Sequence, residues 1–100
     1  MSHPLDLVPY GLGRGRTDLL VIWPWPGGVQ KAVIEVKLQR GDPAKLLERG
    51  LEQTLAYQER CAAEDAHLVI FDRDPAKPWS EKVYRRVEER AGKKVVVWGM

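Results

Sequence analysis

Three residues in the first forty have types and spacing that could do chemistry: Asp18, Glu35 and Lys37. Asp18 opens the apolar run TDLLVIW (17–23), and Glu35 and Lys37 interrupt the apolar run KAVIEVKL (31–38). Residues two apart in a strand share a face. Glu35 and Lys37 are therefore expected on one face, with Ile34, Val36 and Leu38 turned toward a helix-covered core. Asp18, on the preceding strand, can lie across from the pair. Two carboxylates brought close repel, and one would be pushed toward its protonated form. Magnesium resolves this conflict, because it takes oxygen ligands from one or two carboxylates and keeps several waters. A neighbouring lysine can hold or activate a water, or neutralise a developing oxyanion. The combination points to metal-assisted hydrolysis of a phosphodiester.

The elements that must position these residues follow from pattern and punctuation. PWPGG (24–28) reads as a turn, which makes the two apolar runs an antiparallel hairpin. Next, Asp42 is placed as an N-cap and Pro43 as a first helical residue. Leu47, Leu51, Leu55 and Ala62 line one face of the helix that follows. Gly50 lies inside that pattern, at a cost of about 1 kcal/mol relative to Ala unless a close backbone approach uses it. HLVIFDR (67–73) reads as a strand reached through the helix, hence parallel to the second strand by a right-handed crossover. The tail SEKVYRRVEERAGKKVVVWGM supports two assignments. Ser80 as a cap, with Val83, Tyr84 and Val87 on one face, makes a helix. Alternation of Val83, Arg85, Val87 and Glu89 up to a turn at Gly92 makes a hairpin. KVVVWGM is a strand in either case. Residues 1–16 read as an irregular arm with a short extended piece at Leu5–Val8, ahead of a single domain at 17–100.

Composition bounds the function. The chain has 100 residues, 16 Lys and Arg against 14 Asp and Glu, and a net charge of +2. The surplus lies early: residues 1–41 carry Arg14, Arg16, Lys31, Lys37 and Arg40 against Asp6, Asp18 and Glu35. This is a weaker positive charge than many nucleic-acid binders carry. The single cysteine, Cys61, permits no internal disulfide and reads as a small helix-packing residue. No secretion leader and no apolar run of membrane-spanning length is seen, so a cytoplasmic protein without membrane contact is expected. GLGRG (11–15) lacks the following Lys-Ser/Thr of a phosphate loop, which argues against an ATP site. His3 and His67 have no ligand spacing; His67 reads as a strand-entry residue. Trp23, Trp25, Trp79 and Trp98 are scattered and read as turn or interface packing.

Asp18, then sixteen residues, then Glu35-Val36-Lys37 resembles the PD-(D/E)XK nuclease superfamily. Gly15-Arg16-Thr17-Asp18 looks like the Gly-x-x-Asp motif of its RecB-like branch. Glu35-Val36-Lys37 looks like the Glu-hydrophobic-Lys motif. Gln53-Thr54-Leu55-Ala56-Tyr57 looks like the Gln-x-x-x-Tyr motif. GLGRGRTDLLV, IEVKL, GLEQTLAY and HLVIFDR are similar to the C-terminal restriction-endonuclease-like domain of a group of prokaryotic AAA-type ATPases. That similarity spans roughly residues 10–75. The archaeal Holliday-junction resolvases show a similar Gly-rich lead, Asp and Glu-x-Lys.

The resemblance implies an α/β fold with a restriction-endonuclease-like mixed sheet: β-hairpin, crossover helix and further strands. The usual front helix would be missing or reduced, since 1–16 is rich in Pro and Gly. It favours the hairpin for the tail. It implies catalytic roles for Asp18, Glu35, Lys37, Gln53 and Tyr57, with Gln53 and Tyr57 offset from the helix core face. Mg²⁺ (Mn²⁺ as a substitute) would be held by Asp18, Glu35 and the Val36 carbonyl. Arg14, Arg16 and Arg40 would contact nucleic acid. The implied activity is Mg-dependent cleavage of DNA in repair, recombination or defence, with DNA, a second copy in a homodimer and an ATPase as partners. Two alternatives stand beside it: a catalytically inactive nucleic-acid-binding or dimerisation module associated with an ATPase, and, within the nucleases, a Holliday-junction resolvase. Read without the resemblance, Glu35 and Lys37 are a solvent-facing ion pair, Gln53 and Tyr57 a helix flank, and Arg14 and Arg16 a solvated loop.

Overall fold

Two strands of alternating apolar residues joined by a Pro-Gly turn begin the fold, and the remaining elements are laid beside them. A computed structural model describes residues 6–10 and 17–100, with side chains from Leu19 onward. Strand β1 is Asp6–Tyr10, β2 is Thr17–Trp25 and β3 is Gly28–Leu38. β2 and β3 are antiparallel and close on Pro26 and Gly27, with Trp25 opposite Gly28. Both strands run further into the expected PWPGG turn than alternation alone suggests, because the tight closure carries the ladder up to it. β1 pairs antiparallel with β2, Pro9 opposite Leu19 and Tyr10 opposite Asp18. This strand overlaps the short extended piece expected at Leu5–Val8 and runs on to Tyr10, within the arm otherwise expected to be irregular. Among the described residues the element before β2 is a strand, not a helix.

Helix α1, Pro43–Cys61, starts where its cap chemistry dictates: the Asp42 carboxylate accepts the Ala44 N–H at 2.9 Å and Pro43 takes the first turn. It stops at Ala62, whose left-handed backbone (φ 53°) turns its N–H back onto the Gln58 and Glu59 carbonyls. Ala62 lies past the last turn and is exposed, so it does not extend the core face as expected. Gly50 faces the sheet. A Cβ there would come within 2.8 Å of Leu68 Cδ2, so the glycine lets helix and sheet approach closely.

The crossover helix leads to β4, Asp65–Phe71, parallel to β3 as expected. The tail is a hairpin preceded by one helical turn: α2, Trp79–Lys82, then β5, Tyr84–Arg90, and β6, Lys93–Gly99. Ala91 and Gly92 both have positive φ (53° and 77°), the backbone of the two-residue turn that matches strand twist. The helical assignment for 80–91 fails because Val87 pairs with Val96 and Arg85 with Trp98 across that turn. Ser80 does not cap α2; Pro78 holds the cap position without a side-chain bond. β6 runs parallel to β4, giving a six-stranded mixed sheet in the order β1-β2-β3-β4-β6-β5. The class is α/β. Among the described residues no helix is long and apolar enough to cross a membrane.

The core lies between α1 and one face of the sheet. Leu51 and Tyr57 from the helix meet Leu20, Val33, Leu68, Val95 and Val97. Val33 is fully buried, and Glu35 and Lys37 share its face by alternation. This corrects the face expected for the polar pair. The helix covers the side of β3 that carries Glu35 and Lys37. Ile34 and Val36 lie on the opposite, helix-free side and are only half-buried, and Leu38 is exposed. A period of two shows which residues share a face. It does not show which face the helix will choose.

Candidate active site

β2 and β3 position the three residues with which the sequence opened. Their register sets Asp18 opposite Glu35, and Leu20 opposite Val33 two pairs further in. Cross-strand partners in an antiparallel pair stand on the same side of the sheet, with Cβ atoms about 5 Å apart. The backbone register therefore makes Asp18 and Glu35 cross-strand partners, with Glu35 on the helix side.

Glu35 is a deeply buried carboxylate, 1% exposed, and Lys37 Nζ lies 3.3 Å from its Oε1. Lys37 is itself 12% exposed. This is not the solvent-facing pair that was the bland reading of these residues. A buried ion pair loses much of its hydration, so its local charge balance matters. Val36, between the two, pairs with Thr17 on one side and Val69 on the other.

α1 lies over this spot and carries the other two candidates. Tyr57 is 1% exposed and belongs to the buried cluster with Leu20, Val33 and Leu51. It stands in the core face of the helix rather than offset from it; the Arg60 guanidinium lies 5.8 Å from its ring centroid. Gln53, four residues before it, is half-buried, and its Oε1 is enclosed without a hydrogen bond among the described residues. Thr54, between them, bonds its hydroxyl to the Gly50 carbonyl at 2.6 Å and is committed to the helix backbone.

Of the basic candidates, Arg40 is exposed just past β3 and lines a shallow groove with Arg73 and Lys77. Arg14 and Arg16 lie outside the described residues. Among the described residues no group of three or more His, Cys, Asp or Glu side chains forms a metal cluster. The Glu35 carboxylate supplies oxygen donors, and its backbone register partner, Asp18, is a second acid by type. That set matches a hard divalent cation such as Mg²⁺, which asks for one or two carboxylates and fills the rest with water.

Sequence reasoning missed two polar constellations. His67 and Trp98 sit on the helix-free face, where Trp98 Nε1 donates to His67 Nδ1 at 3.0 Å. Burial lowers the His67 pKa most, Asp65 opposes this and the nearby Arg85 adds to it. The second lies at the carboxyl ends of β3 and β4, where Lys77 Nζ meets Asp72 Oδ2 at 2.6 Å and holds that carboxyl below its ordinary range. Lys82 is buried beside it, 9% exposed. Strand pairing makes His67 and Trp98 neighbours, 31 positions apart in the sequence, whereas Asp72 and Lys77 meet within one loop. Comparison of the chain with family models, with curated proteins and with solved structures returned no match.

Proposed function

We propose that this chain is a magnesium-dependent deoxyribonuclease domain with a restriction-endonuclease-like fold. The observation that carries the reading is the register of Asp18 against Glu35, with the Lys37 ammonium 3.3 Å from the Glu35 carboxylate. Asp18 and Glu35 would hold Mg²⁺ or Mn²⁺, with the Val36 carbonyl as a third oxygen. When bound, the ion supplies Lewis acidity to the phosphodiester.

The chain's own groups do the rest. Lys37 orients the attacking water and offsets negative charge building on the phosphoryl oxygens. Hydrolysis forms a bond from the water oxygen to phosphorus and breaks the bond to the leaving sugar oxygen. One proton leaves the water and one reaches the leaving oxygen. Gln53, whose Oε1 has no donor among the described residues, fits as the group that steers the Lys37 ammonium or the water. Tyr57, in the buried cluster with Leu20, Val33 and Leu51, fixes the helix over the strands. Arg14, Arg16 and Arg40 are the proposed backbone contacts, since phosphate contacts position a duplex without reading it.

The test is cleavage of single-stranded, duplex and branched DNA in Mg²⁺ and Mn²⁺. Glu35→Gln and Lys37→Met should each lower the rate by about 10²-fold or more, the usual share of a group acting in proton transfer or charge stabilisation. Cleavage at the original rate by both variants rejects the assignment. Preference for branched over linear duplex would place the activity with junction resolution.

One observation favours a second reading, a non-catalytic nucleic-acid-binding or dimerisation module working with an ATPase. Glu35 is only 1% exposed and is already balanced by Lys37, an arrangement that a silent scaffold would also keep. This module would bind DNA in a salt-sensitive way and leave it intact in either metal.

A further inference from the structure

Beyond Lys37 the sheet opens into a groove of about 320 Å³ at the carboxyl ends of β3 and β4. Ile70, on its floor, is the parallel-strand partner of Lys37, and Gln39, on its wall, is two residues further along the chain. Two residues of extended chain span about 7 Å. The groove therefore begins next to Lys37 along β3.

Its lining holds Lys77, Lys82, Arg85 and Arg86 against Asp72 and Glu81. Most of these cations are engaged. Lys77 is bound to Asp72 at 2.6 Å. Arg86 Nε lies 3.6 Å from Glu88, and the Arg85 guanidinium stacks 5.4 Å over the Trp98 ring on the other face. Lys82 differs. Its side chain is 9% exposed, and its ammonium lies 5.3 Å from the Trp79 ring centroid. Among the described residues no carboxylate comes within ion-pair distance of it. Its stem is already fixed by burial, so binding an anion there would cost little further side-chain entropy. A second groove of about 400 Å³ shares Gln39, Pro43, Asp72 and Lys77 with the first and continues to Arg40 and Arg73.

We propose that this groove is a phosphate subsite for the DNA strand beside the cleaved bond, with the Lys82 ammonium as its fixed cation and Arg40 and Arg73 continuing the track. The identity of the polyanion rests on the nuclease reading; the site itself rests on Lys82 and the groove.

The experiment is equilibrium binding of the full chain to mixed-sequence duplexes in EDTA, by fluorescence anisotropy over a salt series. Without divalent metal, cleavage plays no part. Lys82→Met keeps the aliphatic stem over Trp79 and removes the charge. It should lower the slope of log affinity against log salt by about 0.9, one phosphate contact, and weaken duplexes of different sequence alike. Lys82→Arg should restore the slope. An unchanged slope in Lys82→Met overturns the subsite. If Lys82→Met does not fold, titration of the wild-type chain with inorganic phosphate decides. Amide shifts at Trp79, Lys82 and Tyr84 support the site, and their absence overturns it. A wild-type chain that binds DNA without cutting it fails the nuclease reading and leaves the groove to the variants. One that cuts DNA while Lys82→Met keeps the full slope fails the groove alone. A chain that neither binds nor cuts fails both.

Discussion

At the scale of single residues, a half-buried histidine links stability to pH. Trp98 can only donate through its indole nitrogen, so His67 Nδ1 must accept, and the bond needs the neutral ring. Burial, chiefly, holds the His67 pKa below the ordinary value of about 6.5. Between that lowered value and 6.5 the unfolded chain binds more protons than the folded one, so stability rises with pH through this window. The contribution is complete above about pH 6.5 and is lost as pH falls toward the folded pKa. Melting of the wild-type chain should therefore drop between pH 7.5 and 5.5. His67→Gln keeps an acceptor for Trp98 and should flatten the dependence; an equal drop in that variant assigns it elsewhere. Glu48, Glu64 and Asp72 have carboxyl pKa values lowered by Arg90, the Lys31 N–H and Lys77 respectively, so their contributions are lost only in more acid solution. At this scale the sequence was informative where a polar type interrupts an apolar strand. Asp18, Glu35 and Lys37 stand out for that reason, and the register brings the first two together. Lys82 does not stand out, because WSEKVY looks like any polar surface turn until folding buries its stem.

Elements pack by shape, and at Gly50 the helix meets the sheet with no room for a side chain. Ala there would gain about 1 kcal/mol in helix propensity but must displace Leu68, which is fully buried. Overpacking a core costs about 1–3 kcal/mol, so Gly50→Ala should be close to neutral and Gly50→Leu clearly destabilising, by about 2 kcal/mol or more. Urea denaturation of the two variants separates the contributions. A Gly50→Leu chain as stable as wild type would mean that the helix stands further from the sheet. Cap chemistry made α1 legible from Asp42 and Pro43 onward, and Pro-Gly punctuation did the same for the β2–β3 hairpin. The tail was ambiguous because SEKVYRRVEER fits both a helical and a two-residue period. What decides it is nonlocal: β6 needs a partner on its far side, and the positive φ of Ala91 and Gly92 turns the chain back to supply one. The covered face of β3 was misjudged for a related reason. Val33 and Ile34 are equally apolar neighbours, and only the helix, anchored through Leu51 and Tyr57, breaks the tie.

At the scale of the whole molecule, α1 shields one side of a six-stranded sheet, and the other side shows half-buried Ile34, Val36, Val69 and Trp98. The proposed nuclease reading includes a homodimer, which light scattering would read as twice the 11.4 kDa chain mass. A mass of one chain at all concentrations rejects it. A sheet of this width also has two margins, and both are guarded. Among the described residues the outermost strands are β1 and β5. β1 includes Pro9, which has no N–H to offer an incoming strand. β5 reads YRRVEER, so a strand arriving there must desolvate a dense row of charge. Lateral growth of the sheet from chain to chain, the route to fibrils, is thereby discouraged at each end, and any self-assembly is directed to the broad surfaces instead.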